Sequence, residues 1–303
     1  SNIVDITNFI LHELGQPLHA FDAEKIGGRK IIVENLPKNT PFITLDEKER
    51  KLHEDDLMIC DGEDKPMCIG GVFGGIHSGV TENTTQIFLE SAHFEAGTIR
   101  RTSFRHLLRT DAAMVFEKES DPNNTLYALQ RAVLLMQEYA QAEVASEVVD
   151  IYPEKIEPKK ISISFEKITR LIGDNILKEQ ILEILQALNM DVLENDGERI
   201  VVATPTDKAD VTRDVDLVEE ILRIYGFNKV ALPGYIHAAI QNSPSVDAFK
   251  IKNDIANMLT GAGFSEMMGL SLVDQKFFDS EESLVTINNT SNVTLKIMRP
   301  SMA

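Results

Sequence analysis

CIGGVFGGIHSGVTENTTQIFLES, residues Cys68 to Ser91, is the stretch from which the organisation of this 303-residue chain can be worked outward. It places Gly70, Gly71, Gly74, Gly75 and Gly79 within ten residues and ends in the strand-like run Gln86-Ile87-Phe88-Leu89-Glu90. Glycine lets a backbone take positive φ or approach another group closely, at a cost in ordering entropy. Two readings stay open: a tight turn between strands, or a loop shaped for contact with a ligand. It is not a phosphate loop, because no Gly-Lys-Ser/Thr follows and no Gly-x-Gly-x-x-Gly opens a helix. Glu90 closes an apolar run, so its carboxylate sits at an exposed strand end or is aimed into a polar pocket.

The length allows two or three domains with their own cores. Hydrophobic residues make up 43% and charged residues 26%, a globular balance, with a net charge of −18 and a pI near 4.8. That charge argues against a broad electrostatic grip on nucleic acid, though not against a local basic patch. Cys60 and Cys68 are the only cysteines, which excludes a disulfide framework and a Cys-rich zinc site. Apolar runs are short and broken by charge, so no helical membrane span is expected. A soluble, reducing, cytoplasmic setting is the expectation.

Upstream of the glycine stretch, residues 4–15 carry a helical apolar period stopped by Gly15, and Gln16 to Asp22 read as a turn holding His19. A histidine between apolar residues serves either packing or function. Strands are expected over 30–34, 41–45, 57–61 and 66–69. Downstream, Thr98 to Arg109 reads as a helix with Arg101, Arg105 and Arg109 on one face, either a solvated face or an anion or RNA contact. A long amphipathic helix is expected over 123–142.

Residues 150–160, DIYPEKIEPKK, read as a linker. A small domain follows, with strands over 160–165, 190–193 and 199–203 and helices over 166–172 and 177–188. Its last helix, 214–225, carries Asp216, Glu219 and Glu220, with Asp210 just upstream. Four such oxygens could hold a hard cation such as Mg²⁺, or the acids could simply answer the helix macrodipole. Beyond Pro233 a further domain begins, with a helix over 249–259.

Four motifs together resemble one family, the β subunit of bacterial phenylalanyl-tRNA synthetase. They are SNIVDITNFILHELGQPLHAFD, IGGVFGGIHSGVTENTTQIFLESAHF, LLRTDAAMVFEKESDP and DVDLVEEILRIYGFN. The resemblance runs through essentially the whole chain. It implies an α/β and α+β multidomain fold: a mixed α/β editing domain over 1–152, a small Mg-binding helix-turn-helix-like domain over 158–230, and over 240–303 the truncated start of a synthetase-like antiparallel-sheet, catalytic-like domain. It implies hydrolysis of tyrosine wrongly attached to the phenylalanine tRNA, because a phenylalanine pocket discriminates weakly against an isostere that only adds a hydroxyl. Within the motifs, Glu90 matches the reader of the tyrosine hydroxyl. Gly74 and Ala112 match small residues that leave room for the ring, and His19 and Thr110 match other pocket residues with catalytic parts. Asp210, Asp216, Glu219 and Glu220 match Mg²⁺ ligands. The implied partners are the α subunit, in an α2β2 assembly, and the tRNA; ATP would bind outside this region. Asp207-Lys208-Ala209 and Ile76 depart from the family pattern. The rival expectation is a non-catalytic RNA- or protein-binding adaptor, and convergence of the proposed pocket residues on one cavity would separate the two.

Overall fold

The computed structural model describes every residue except 233, 236, 237, 239–246, 279–283, 302 and 303. Residues Ser1–Leu232 and Pro233–Ala303 form two compact units.

Helix α1 (Asn2–Leu14) stops where Gly15 takes a left-handed φ of 67°. The segment expected to be a turn is instead strand β1 (Leu18–Asp22). Strands β2 (Ile31–Asn35), β3 (Pro41–Ile43), β4 (Glu49–Lys51), β5 (Leu57–Asp61), β6 (Pro66–Ile69), β7 (Phe73–Gly74) and β8 (Ile87–Ser91) follow. β2-β5-β6-β7 make an antiparallel sheet, and β3-β4 and β1-β8 are two-stranded ribbons. Helices α2 (Ala96–His106), α3 (Asp111–Phe116) and α4 (Thr125–Ala140) complete this region.

The glycine stretch is the hinge of the sheet. β6 turns into β7 through Gly70-Gly71-Val72, and the Val72 N–H donates to the Ile69 carbonyl at 2.9 Å. Gly71 sits at φ +66°, and a Cβ there would lie 2.8 Å from both Ile99 Cδ1 and Phe94 Cδ2. The turn needs left-handed backbone and leaves no room for a side chain, two independent reasons for glycine. Around it lies one core of Phe21, Met58, Ile59, Ile69, Phe94 and Phe116 with their neighbours.

The β1-β8 ribbon has two faces because strand side chains alternate. Leu18, Ile87 and Leu89 pack against a second core, where α1 supplies Ile6 and Ile10 and α4 supplies Ala128, Ala132, Leu135 and Met136. The other face therefore presents His19, Phe21, Phe88 and Glu90, and the register sets His19 directly opposite Glu90.

The expected arginine helix is shorter than its spacing suggested. Leu107 caps α2 in a left-handed conformation, φ 53°, so Arg109 lies beyond the helix and does not continue the face of Arg101 and Arg105. Arg105 is instead drawn inward to the buried Asp56 carboxylate, which also accepts from Thr102 Oγ1 (3.0 Å), the His53 N–H (2.8 Å) and His106 Nε2 (2.6 Å).

Strand β9 (Lys159–Ser164), helices α5 (Phe165–Ile172) and α6 (Lys178–Ala187), strands β10 (Asp191–Asn195) and β11 (Arg199–Thr204), and helix α7 (Asp214–Tyr225) follow. They form a three-stranded sheet, β10-β11-β9, covered by helices over a third core that includes Ile163, Ile168, Leu185, Ile200 and Leu217. Thr206 Oγ1 donates to Asp121 Oδ1 at 2.6 Å and accepts from Asn123 Nδ2 at 3.0 Å, tying the two regions together. The second unit contains helix α8 (Ala248–Gly261) and the short pair β12 (Leu272–Val273) and β13 (Ile297–Met298). Among the described residues, no helix is long and apolar enough to cross a membrane.

Candidate active site

A cavity of about 280 Å³ opens between α1, the β1-β8 ribbon, the glycine turn and the start of α3. His19, Gly74, Glu90, Thr110 and Ala112 all line it. These five residues come from four separated segments, and the fold brings them together. The volume sits near the lower end of the roughly 300–1,000 Å³ usual for small-molecule sites, a size suited to one amino-acid side chain.

Glu90 is only partly exposed as a residue, and its Oε2 is wholly buried without a hydrogen-bond partner in the protein. Burial pushes its carboxyl up to about 7, because removing water penalises the charged form. At neutral pH the group is therefore divided between its two forms rather than fully ionised. His19 faces it across the strands, with Nε2 likewise buried and unpartnered. Burial lowers the imidazole to about 4, so it is neutral at pH 7. Its ring stands edge-on to Phe21, centroids 4.4 Å apart. In a cavity whose wall also carries Thr7, Asn8, Thr110 and Asp111, these two buried polar atoms lack partners and mark where a ligand's polar groups would be received.

Gly74 lines the cavity beside His19. A Cβ there would lie 3.0 Å from His19 Cε1 and 3.0 Å from Leu45 Cδ1. The missing side chain gives room first to the imidazole, and through it to whatever the cavity holds. Thr110 caps α3: its hydroxyl donates to the Val72 carbonyl at 2.8 Å and accepts from the Ala113 N–H at 3.1 Å. With both bonds made, Thr110 shapes the wall and ties the glycine turn to α3. Ala112 is half-buried against the first core.

Sequence reasoning missed the contribution of α1, where Thr7, Asn8 and Leu11 line the cavity. Asn8 is an exposed polar residue on a helix, and no local pattern distinguishes it from a solvated one. Cys68 was also missed as a wall residue. Its thiol donates to the Ile69 and Phe73 carbonyls at 3.3 and 3.4 Å. Burial, aided by the nearby Glu90 charge, pushes it well above the ordinary thiol range, so it packs rather than attacks.

The four expected metal ligands are not gathered. Among the described residues, no group of three or more His, Cys, Asp or Glu side chains is arranged to hold a metal ion. Asp216 turns back on the helix start, accepting from the Thr212 and Arg213 N–H groups at 3.0 and 2.8 Å and from Arg213 Nη2 at 2.8 Å. The Arg213 side chain and these N–H groups hold its carboxyl far below the ordinary range. Glu220 is bound by Arg223 Nε and Nη2 at 2.9 and 2.8 Å, with Lys208 3.8 Å away. Asp210 and Glu219 are exposed. The spacing on α7 is as expected, but Asp216 and Glu220 are engaged by neighbouring cations and N–H donors while Asp210 and Glu219 stay exposed, so the four carboxylates are not presented together to one cation.

Residues 1–141 match the B3/4 domain model, and residues 161–227 match the tRNA synthetase B5 domain model. The chain is 43% identical, over its whole length, to the phenylalanine–tRNA ligase beta subunit of Porphyromonas gingivalis, of which it covers 38%. It is 42% identical to the Bacteroides fragilis subunit over 100% of the chain and 37% of that protein. With the Clostridium acetobutylicum subunit the identity is 39%, over 99% of the chain and 37% of the relative. The chain thus spans a little over a third of these relatives. A looser likeness is to an N-terminal fragment of the phenylalanyl-tRNA synthetase beta subunit from Pyrococcus horikoshii, at 17% identity and TM-score 0.38, covering 74% of this chain and 65% of that one. With a B3/4 region followed by a B5 region, and with identity sustained from end to end, the chain belongs to the phenylalanine–tRNA ligase β-subunit family.

Proposed function

We propose that the chain is the part of a phenylalanine–tRNA ligase β subunit that removes wrongly attached tyrosine, working beside an α partner that joins phenylalanine to its tRNA at the expense of ATP. The observation that supports it is the convergence of His19, Gly74, Glu90, Thr110 and Ala112 on one cavity of amino-acid size. A module that only bound RNA or protein would have no use for such a cavity.

In this reading the aromatic ring of the substrate lies against the apolar wall, and its para hydroxyl reaches Glu90. A tyrosine hydroxyl gives up water on entry and donates to the Glu90 carboxyl instead, a bond that is charge-assisted when the group is ionised. Phenylalanine offers no donor, so it leaves the already buried Glu90 oxygen without a partner and forgoes about 1–3 kcal/mol. The same carboxylate both favours the wrong residue and disfavours the right one. His19, neutral and held by Phe21 and the space at Gly74, offers one donor and one acceptor nitrogen and positions the water that attacks the ester. The proton leaves by way of the tRNA's own terminal hydroxyl, so no strong general base is required of the protein. Phe94, Leu45 and the Thr110 cap keep bulk water from the ring.

The test is a Glu90→Ala variant of the complete enzyme, assayed for release of tyrosine from tyrosyl-tRNA and of phenylalanine from phenylalanyl-tRNA. The tyrosine preference is expected to fall roughly five- to a hundredfold, the range set by one unsatisfied polar group. An unchanged ratio of the two rates refutes the role given to Glu90.

A further inference from the structure

We propose that the outward face of α2 and the turn beyond it, carrying Arg100, Arg101, Phe104, Leu107 and Arg109, is a docking surface for single-stranded RNA leading its aminoacylated end into the cavity. The proposal rests on the functional reading above and names the partner that this site would receive.

Helix α2 buries Ile99, Thr102 and Ser103. Arg100, Phe104 and Leu107 recur at i, i+4 and i+7, so the same helical period that buries one side brings these three together on the other. Phe104 is 82% exposed and Leu107 85% exposed. A large apolar side chain that far into water, set among charges, marks a contact surface more than a core residue out of place. Among the described residues the Phe104 ring meets no aromatic or cationic partner, and Arg100 and Arg109 enter no ion pair. Arg101 Nη2 donates to Thr98 Oγ1 at 3.1 Å and stands 3.7 Å from the exposed Glu95 carboxylate. The patch is thus positive and apolar at once, in a chain whose net charge is −18.

The surface is held in shape. Ser103 Oγ donates to the Leu108 carbonyl at 2.6 Å and Arg50 Nη1 donates to the His106 carbonyl at 2.7 Å, fixing the left-handed turn at Leu107. Three residues later the chain enters the cavity wall at Thr110. A strand lying across α2 is therefore delivered toward the cavity by the polypeptide itself.

The chemistry of the patch selects the occupant. Arginines neutralise phosphates, and an exposed ring accepts an unpaired base by stacking. A duplex hides its base faces and would gain nothing from Phe104. An acidic protein surface would use the arginines alone.

The experiment measures fluorescence anisotropy of a short fluorescein-labelled single-stranded RNA ending in CCA, titrated with the 303-residue chain. Phe104→Ala is expected to weaken binding roughly tenfold, and Arg100→Glu with Arg109→Glu to weaken it further at low salt while flattening the salt dependence. All three residues are exposed, and circular dichroism verifies that the variants fold. The proposal is overturned if wild type does not bind the strand, if Phe104→Ala binds as wild type does, or if the matching duplex or polyglutamate competes as well as the single strand. The selectivity assay on Glu90→Ala reads the cavity and the anisotropy of Phe104→Ala reads the surface, so either conclusion can fail alone.

Discussion

Replacing Glu90 by glutamine should reveal a pH dependence of stability that the wild-type chain conceals. Burial raises Glu90 from 4.5 to about 7 and lowers His19 from 6.5 to about 4. Between about pH 4.5 and 6.5, the unfolded chain therefore keeps a proton on His19 and leaves Glu90 ionised, while the folded chain keeps it on Glu90 and leaves His19 neutral. Each state holds one proton, so folding neither takes up nor releases one, and the pair contributes no slope. In Glu90→Gln only the histidine remains. Its depressed folded value means stability is fully present above pH 6.5 and lost as the pH falls toward 4. The slope is about 1.4 kcal/mol per pH unit and the full loss about 3 kcal/mol. In His19→Gln only the raised carboxyl remains, so stability is fully present below pH 4.5 and lost as the pH rises toward 7. The assay is urea unfolding followed by circular dichroism from pH 4.5 to 7, read as variant minus wild type so that other titrating groups cancel. Slopes of opposite sign in the two variants are expected. Equal slopes in all three proteins would refute the burial of these two groups as the source of their shifts.

Three further outcomes follow from the geometry. Asp56→Ala, which strips a buried carboxylate from Arg105, His106 and Thr102, should cost about 3–5 kcal/mol in urea unfolding; a loss below about 1 kcal/mol would show the network to be idle. Gly74→Ala, whose Cβ would stand 3.0 Å from the His19 ring and from Leu45, should cost about 1–3 kcal/mol and shift the His19 Cε1–H resonance. Gly79→Ala, which meets only Leu45 Cδ2 at 3.5 Å, should do neither, and equal effects would refute the steric account. Asp216→Ala should cost about 1 kcal/mol through loss of its N–H bonds at the start of α7, by the same amount in magnesium and in chelator. A thermal midpoint of the wild-type chain that drops on adding EDTA would show that the α7 carboxylates do rearrange around a cation.

The glycine stretch and Glu90 were legible because a local pattern carries them: clustered glycines, then an acid at the end of an apolar run. Strand β1 was not. Gln16-Pro17-Leu18-His19 has the composition of a turn, and its strand character comes from β8, whose sequence lies some seventy positions away and supplies the ladder. Once that pairing is known, His19 beside Glu90 follows from alternation alone. The end of α2 was misjudged for a different reason. Arg101, Arg105 and Arg109 keep perfect helical spacing, and the left-handed stop falls on a leucine rather than a glycine, so nothing in the composition announces it. The acids of α7 were placed on the right helix face, but spacing does not say which donors each carboxylate will choose. Asp216 found backbone N–H groups within its own turn. The low value of His19 and the high value of Glu90 depend on water exclusion, a property of the assembled cavity that no stretch of sequence contains.

The His19–Glu90 pairing also governs when the cavity can come into being. Leu18 meets Ser91 at one end of the ribbon, so forming it closes a loop of some seventy residues, and the core under α1 is completed by the ribbon and α4 together. Closing so long a loop is entropically uphill until the far contacts repay it, which makes the ribbon a late and cooperative event in folding. A ribosome must release the chain through Phe116 before every wall exists. A partly opened chain holds all the residues of the cavity without the burial that shifts His19 and Glu90. A one-residue slip of β1 along β8 would turn His19 to the opposite face of the ribbon. The site therefore has no half-working ancestor along the folding path: it arrives complete, with the last long-range contact, or it is absent.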